Sequence, residues 1–129
     1  MKKLIPILLS ARMFTGCTGT SNNQTSTYRQ ISMDEAVTMM AEESGYIILD
    51  VRRADEFAAG HIPGAINVAN ETIGTDEIPE LPDKNQLIMV YCRSGRRSKE
   101  ASEKLVKLGY TNIVEFGGIL DWEGETVMP

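Results

Sequence analysis

Cysteine and histidine are scarce in this sequence, which has two cysteines and one histidine among 129 residues. That count allows at most one disulfide, between Cys17 and Cys92, and the N-terminal sequence indicates a different role for Cys17. The sequence also lacks the loops G-x-x-x-x-G-K-S/T and G-x-G-x-x-G, which bind nucleotides. No internal repeat is visible, and the length suggests a single domain with a modest core.

Positive charge is in the minority, with 13 lysines and arginines against 18 acidic residues and a net charge of −5. This balance disfavours nucleic acid as a general partner. Against it, Arg93, Arg96 and Arg97 follow Cys92 within one short segment. Such a cluster can be a solvated face, but its place directly after a cysteine favours an anion site.

The sequence has no N-terminal apolar run of membrane-spanning length, since the stretch at residues 4–14 is too short to cross a bilayer. Preceded by two lysines and followed by Thr15-Gly16-Cys17, it is typical of a bacterial lipoprotein signal peptide in which Cys17 is lipidated. Arg12 inside the apolar stretch and Phe14, where leucine is usual, depart from that pattern. The alternatives are an ordinary cleaved signal, giving a secreted or periplasmic soluble protein, and a buried N-terminal helix in a cytosolic one.

The segment after Cys17 is polar, uncharged and free of large apolar side chains. It cannot pack a core and therefore predicts a flexible tether. We accordingly divide the chain into a signal peptide at 1–16, a tether at 17–29 and a folded domain at 30–129. The predicted location is the cell envelope, with the domain held close to a bacterial membrane through the lipid anchor.

Apolar segments of strand length alternate with helical segments through the folded part. Strands are predicted at 46–51, 65–68, 87–91 and 112–116, and helices or helical turns at 32–44, 54–59, 98–108 and 119–122. Segment 70–86 is predicted to be a surface loop with a short helical turn. Continuous apolar strands alternating with helices favour an α/β fold with a mainly parallel sheet covered by helices on both faces.

The most informative stretch is 87–98, in which an apolar strand leads to Cys92, a basic loop and then a helix. Gly95 allows the loop to close, so that successive backbone N–H groups point inward and form an anion nest. A helix N-terminus and nearby cations favour the thiolate, the form in which cysteine is a nucleophile. An inert, buried cysteine at a strand end is the alternative, but it gives the basic loop no purpose.

Three ordered motifs resemble those of the rhodanese-like sulfurtransferases, and the match runs from about Ile31 to Trp122. The first motif is Asp50-Val51-Arg52, Glu56-Phe57, Gly60-His61-Ile62-Pro63-Gly64-Ala65 and Asn67; the second is Cys92-Arg93-Ser94-Gly95-Arg96-Arg97-Ser98; the third is Gly117-Gly118-Ile119 with Trp122. The resemblance implies a parallel sheet of about five strands and a persulfide carried on Cys92. It also implies transfer of sulfur from a thiosulfate-like anion to cyanide or a thiol, without metal or other cofactor.

Within that resemblance, the loop Arg93, Ser94, Gly95, Arg96 and Arg97 would bind the anion, with Arg97 as the best candidate for the substrate cation. The supporting residues each allow two roles. Asp50 either braces the loop or caps a turn, and Arg52 either assists the anion or forms a surface ion pair. His61 fits a turn-bracing role better than a general base, and Trp122 fits packing better than substrate contact.

Two other functions remain open at this point. A cysteine phosphatase uses the same thiolate, nest and arginine, but it needs arginine at the sixth position after the cysteine, where this chain has Ser98. A non-enzymatic module would carry the persulfide to a protein partner, or dock that partner, without free turnover. A domain with one thiol cannot resolve its own persulfide, and a membrane tether suggests a dedicated partner.

Overall fold

A computed structural model of the protein describes residues 27–129. The predictions for the signal peptide, for Cys17 and for nearly all of the tether lie outside these residues. In chain order the elements are β1 (Arg29–Gln30), α1 (Met33–Glu42), β2 (Ile47–Asp50), α2 (Ala54–Ala58), β3 (Ile66–Asn67), β4 (Ile88–Cys92), α3 (Arg96–Lys107) and β5 (Ile113–Gly118), with 3₁₀ turns at Asn70–Thr72 and Ile119–Asp121. Within the described residues no helix is long and apolar enough to cross a membrane.

The five strands form one sheet in the order β1-β5-β4-β2-β3, and every pairing is parallel. This arrangement confirms the predicted α/β fold. β4 lies at the centre and is buried along its whole length, as expected for an apolar strand between two layers. Active sites in such sheets form at the carboxyl ends of the strands, where β4 ends in Cys92.

Alternate residues of the central strands feed two apolar cores, one on each face of the sheet. Leu49 and Val90 belong to the core that α3 covers through Ala101 and Leu105. The opposite core lies under α1 and contains Ala36, Ile48, Met89, Tyr91 and Phe116. Cys92 belongs to the α3 face, which directs its side chain toward the start of that helix.

The sequence located α1 well because its start has a clear signal. The Ser32 hydroxyl accepts a hydrogen bond from the Glu35 N–H at 3.1 Å, and the Glu35 carboxylate accepts one from the Ser32 N–H at 2.9 Å. These two hydrogen bonds form a capping box. It satisfies two of the amides that a helix N-terminus leaves without an intrahelical partner.

Several predicted boundaries were wrong by a few residues. α3 begins at Arg96 instead of Ser98, because Gly95 adopts φ 116° and turns the chain directly into the helix. β5 continues through Gly117 and Gly118, beyond the predicted end of the strand at 116, since Gly118 still pairs with Cys92. Beyond the last predicted helical turn, Val127 forms an antiparallel bridge with His61.

Candidate active site

The Cys92 sulfur lies at the end of β4, directly before the loop that leads into α3. It accepts a hydrogen bond from the Gly95 N–H at 2.9 Å. Helix α3 starts without a side-chain cap, so its first amides remain available at the same end. The side chain is only 1% exposed, yet its sulfur faces polar groups. Such a setting holds a thiolate better than a hydrocarbon pocket does.

Two residues behind the sulfur were missed by the sequence analysis as members of the site. The Ser98 hydroxyl lies 3.4 Å from the Cys92 sulfur and 2.5 Å from a carboxylate oxygen of Glu115. That oxygen also accepts the Gly117 N–H at 2.9 Å. Ser98 was placed at the end of the second motif and at the start of a helix without a role at the sulfur, and Glu115 was read as part of an apolar strand. The acid within that strand was the signal that could have drawn attention to it.

Gly118 fits the active-site loop against β5. A Cβ atom at this position would lie 2.0 Å from the Arg93 carbonyl oxygen and 2.5 Å from the Ser94 nitrogen. The Arg93 carbonyl also accepts a hydrogen bond from the Leu120 N–H at 3.2 Å. The backbones of the loop and of β5 therefore approach closely at Gly118, and β5 clamps the loop from behind.

We expect Gly118→Ala to lower stability by about 1–3 kcal/mol, because the methyl group forces the loop backbone to move. The same movement displaces the Gly95 N–H, so the Cys92 thiol should react more slowly with iodoacetamide. Urea unfolding and the alkylation rate measure the two effects. Gly74→Ala is the matched control, since a Cβ there has no atom within 4 Å. Equal effects of the two variants would contradict the clamp.

The loop opens onto a cleft of about 370 Å³ that is lined by arginines. Its lining residues are Arg53, Glu71, Arg93, Ser94, Arg96 and Arg97. Arg96 pairs with Glu100 at 3.0 Å, and Arg53 pairs with Asp55 at 3.1 Å. Arg93 is the one arginine of the cleft without an ion-pair partner among residues 27–129. The cleft therefore presents at least one uncompensated cation beside the cysteine loop, as an anion site requires.

Arg97, the expected substrate cation, is held by Glu56 of α2. The two guanidinium nitrogens donate to the two carboxylate oxygens at 2.7 and 3.1 Å. This pairing is the main reason that the pKa of Glu56 falls to about 2 and that of Arg97 rises, with the Cys92 charge a smaller cause for Arg97. Arg97 is thus oriented by a carboxylate.

The Arg97–Glu56 pair gives stability a specific pH dependence. The pKa of Glu56 falls from 4.5 to about 2 on folding, so its contribution is complete above pH 4.5 and is lost as the pH drops toward 2. We expect the difference in unfolding free energy between wild type and Glu56→Gln to be constant near neutrality and to shrink across that acid range. Urea titrations at several pH values measure it. A difference that does not vary with pH would contradict the assignment, and Glu71→Gln is the control in the same cleft.

Asp50 and Arg52, both in the first motif, form a buried ion pair, not the surface pair that was one alternative for Arg52. The Arg52 side chain donates to both Asp50 oxygens, with the shortest contact 2.7 Å, and to the Gly60 carbonyl at 2.8 Å. The Tyr91 hydroxyl donates to Asp50 at 2.6 Å. Since Tyr91 precedes Cys92 in β4, this network ties the first motif to the strand that bears the cysteine.

His61 lies in the turn of the first motif, where its ring stacks on Phe57 with a 3.7 Å centroid distance. Its Nδ1 lies 3.0 Å from the Phe57 carbonyl oxygen. The Asn67 amide donates to the Asp50 and Arg52 carbonyls at 2.9 Å each. The His61 contacts tie this turn to α2, which agrees with a bracing role for His61, and the Asn67 contacts tie β3 to the end of β2. Within residues 27–129, no three His, Cys, Asp or Glu side chains are grouped so that they could hold a metal ion.

The known proteins that resemble this chain point to one family. Residues 32–125 match the family model of the rhodanese-like domain. Thiosulfate sulfurtransferase PspE of Escherichia coli K12 is 37% identical over 73 residues, covering 57% of this chain and 70% of PspE. A sulfurtransferase of Allochromatium vinosum is 31% identical over 94 residues, covering 72% of this chain and 86% of that protein.

Solved structures agree with the sequence relatives. A rhodanese with anions from E. coli is 33% identical and superposes with a TM-score of 0.59, covering 65% of this chain and 99% of that one. The human single-domain sulfurtransferase TSTD1 is 25% identical with a TM-score of 0.63, covering 74% and 97%. The chain has the same parallel-sheet fold, carries a cysteine loop at the carboxyl edge of that sheet and matches the family model over most of the length of the chain. It therefore belongs to the rhodanese-like domain family of sulfurtransferases.

Proposed function

We propose that this protein is a thiosulfate-type sulfurtransferase that carries sulfane sulfur as a persulfide on Cys92. The observation that carries the proposal is the Gly95 N–H bonded to the Cys92 sulfur at 2.9 Å beside an arginine-lined cleft. A sulfur anion bonded to fixed amides suits a nucleophile that must attack another anion. The similarity to a thiosulfate sulfurtransferase, PspE, and to a rhodanese with anions supports a small sulfur-containing anion as donor.

In the first half-reaction, the Cys92 thiolate attacks the outer sulfur of thiosulfate. A Cys92–sulfur bond forms, the sulfur–sulfur bond of thiosulfate breaks, and sulfite leaves with the bonding electrons. In the second, cyanide or a thiol attacks the outer persulfide sulfur and the thiolate is regenerated. This is ping-pong covalent catalysis.

The charges of the cleft suggest how the donor binds. Arg93 has no carboxylate partner among the described residues, whereas Arg97 is engaged by Glu56. We therefore infer that Arg93 contributes the free charge for the sulfonate group and that Arg97, oriented by Glu56, faces the reacting sulfur. This revises the expectation that placed Arg97 first.

Steady-state thiocyanate formation from thiosulfate and cyanide tests the proposal. Parallel lines in double-reciprocal plots are expected for ping-pong transfer. Absence of turnover with thiosulfate and with other sulfane-sulfur donors would contradict an enzyme. Hydrolysis of an aryl phosphate at a comparable rate would instead support a cysteine phosphatase.

A second candidate is a module that docks a protein partner or passes its persulfide to that partner. One observation favours this candidate. Cys92 is the one cysteine within residues 27–129, so that part of the chain has no second thiol to resolve a persulfide. Affinity for a candidate partner should survive Cys92→Ser if the domain only docks. An enzyme acting on small acceptors loses its activity in that variant and needs no partner.

For the N-terminal segment we propose export and lipidation at Cys17, with the domain held at a bacterial membrane. The support is the basic, apolar and small-residue order of residues 1–17. Mass spectrometry of the N-terminal peptide from membranes should find Cys17 acylated and residues 1–16 removed. An unmodified peptide that begins at residue 1 would contradict this proposal.

A further inference from the structure

The hydrogen bonds at Cys92 continue past the sulfur to a buried carboxylate. The sulfur lies 3.4 Å from the Ser98 hydroxyl, which lies 2.5 Å from Glu115. Ser98 is completely buried and Glu115 is 2% exposed. The sulfur-transfer steps use neither residue, yet a buried carboxylate is costly unless it is paired. Its nearest polar side-chain contact is the hydroxyl that touches the reacting sulfur.

The single proton of the Ser98 hydroxyl has several acceptors around it. Besides Glu115 and the sulfur, the Gly95 carbonyl lies at 2.9 Å and the Gly117 carbonyl at 3.3 Å. When Glu115 is ionised, it accepts the hydrogen bond from the Ser98 hydroxyl. A lone pair of the Ser98 oxygen then accepts the hydrogen bond from the thiol S–H. When Glu115 is protonated it donates to Ser98, whose own proton is free to bond a thiolate.

We propose that Glu115 receives the proton of the Cys92 thiol, with Ser98 as the carrier between them. The Cys92 S–H bond breaks as a new Ser98 O–H bond forms, while the original Ser98 O–H bond breaks and a Glu115 O–H bond forms. The negative charge moves from the carboxylate to the sulfur, the net charge of the three groups stays the same, and nothing is oxidised or reduced. Glu115 acts through Ser98, so it is a positioning residue.

The negative charge is better stabilised on the Cys92 sulfur than on the Glu115 carboxylate at the other end of this series of hydrogen bonds. There the charge meets the Gly95 N–H, the Ser98 hydroxyl, the N-terminus of α3 and the arginines of the cleft. A neutral carboxyl group is also cheaper to bury than a charged one.

The charged side chains around Glu115 are mostly acidic. The shallow cavity that Glu115 lines also includes Lys99 of α3, Glu35 at the start of α1 and Asp121 of the second 3₁₀ turn, so acids outnumber the one cation. From the β1 side, the Gln30 amide donates to the other Glu115 oxygen at 3.4 Å. Tyr28 also lies near enough that the Glu115 charge contributes to raising its pKa, after burial and Glu103.

The pH dependence of Cys92 alkylation by iodoacetamide tests the proposal. If the proton stays inside the protein, the thiolate fraction does not change while the three groups share one charge. The wild-type rate should therefore vary less than about threefold between about pH 6 and 8. In Glu115→Gln and Ser98→Ala the proton must leave to solvent, so the rate should fall about tenfold per pH unit below the thiol pKa. All three proteins should react at similar rates near pH 9, where solvent base removes the proton.

Glu103→Gln is the matched control, because it makes the same charge change on the exposed side of α3. It should retain the wild-type profile. A wild-type rate that falls about tenfold per pH unit would overturn the proposal, and so would variants that keep a flat profile. If neither variant folds, the wild-type profile alone decides between the two outcomes. The inference rests on the proposed function only in taking Cys92 as the reacting atom. A flat alkylation profile in a protein that does not transfer sulfur would reject that function, but it would still support Glu115 as the acceptor of the Cys92 proton.

Discussion

Replacing Cys92 by serine is expected to reduce sulfur transfer to the uncatalysed background, whatever donor is supplied. A serine hydroxyl does not form a persulfide, and no other cysteine lies within residues 27–129 to replace it. The fold should survive, because a serine oxygen at this position still accepts the Gly95 N–H that bonds the sulfur at 2.9 Å. Thiocyanate formation from thiosulfate and cyanide measures the loss, and circular dichroism checks the fold.

Ser44→Ala serves as the control for this variant, since it changes an exposed side chain after α1 that does not line the cleft. It should keep much of the wild-type turnover. Activity retained in Cys92→Ser would mean that sulfur is carried elsewhere, and the family resemblance would then describe the fold alone.

The second large effect is expected at Asp50, the first residue of the first motif, which is completely buried. Asp50→Ala leaves the Arg52 guanidinium, 7% exposed, without its anion, and removes the acceptor of the Tyr91 hydroxyl. Breaking a buried ion pair in this way costs about 3–5 kcal/mol, a large share of the stability of a small domain. Urea unfolding measures the loss.

A double variant tests how much of the stability loss in Asp50→Ala comes from the unpaired charge of Arg52. Adding Arg52→Met to Asp50→Ala removes the unpaired charge, so part of the lost stability should return. Asp55→Ala is the control for a lost carboxylate, since the Arg53–Asp55 pair lies on the surface and such pairs contribute little. A stability loss at Asp50 no larger than at Asp55 would contradict the buried pair.

The layers of the fold could be predicted because local sequence specifies them. The apolar segments before Asp50 and Cys92 have the length and continuity of strands covered on both faces. Strand β1 was not predicted, since Arg29 and Gln30 carry no apolar signal and pair with β5 through the backbone. The start of α3 was misplaced because its turn depends on the backbone of Gly95, whereas Ser98 has the side chain of a typical cap.

The candidate site was predictable at the cysteine loop and less so around it. Cys92 and its basic neighbours are contiguous in sequence, so their proximity follows from a single turn. Glu56 lies 41 residues from Arg97, and Glu115 lies 17 residues from Ser98. Only the pairing of the strands and the packing of α2 and α3 bring these carboxylates to the loop, and no local pattern encodes those contacts.

The central claim is that the Cys92 sulfur accepts a second sulfur atom and gives it up again. Intact-mass spectrometry of the protein after incubation with thiosulfate tests it most directly. We expect a gain of about 32 Da, the mass of one sulfur atom, that maps to Cys92, disappears on adding cyanide and is absent from Cys92→Ser. An unchanged mass with thiosulfate and with other sulfane-sulfur donors, or a gain that cyanide does not remove, would contradict the account.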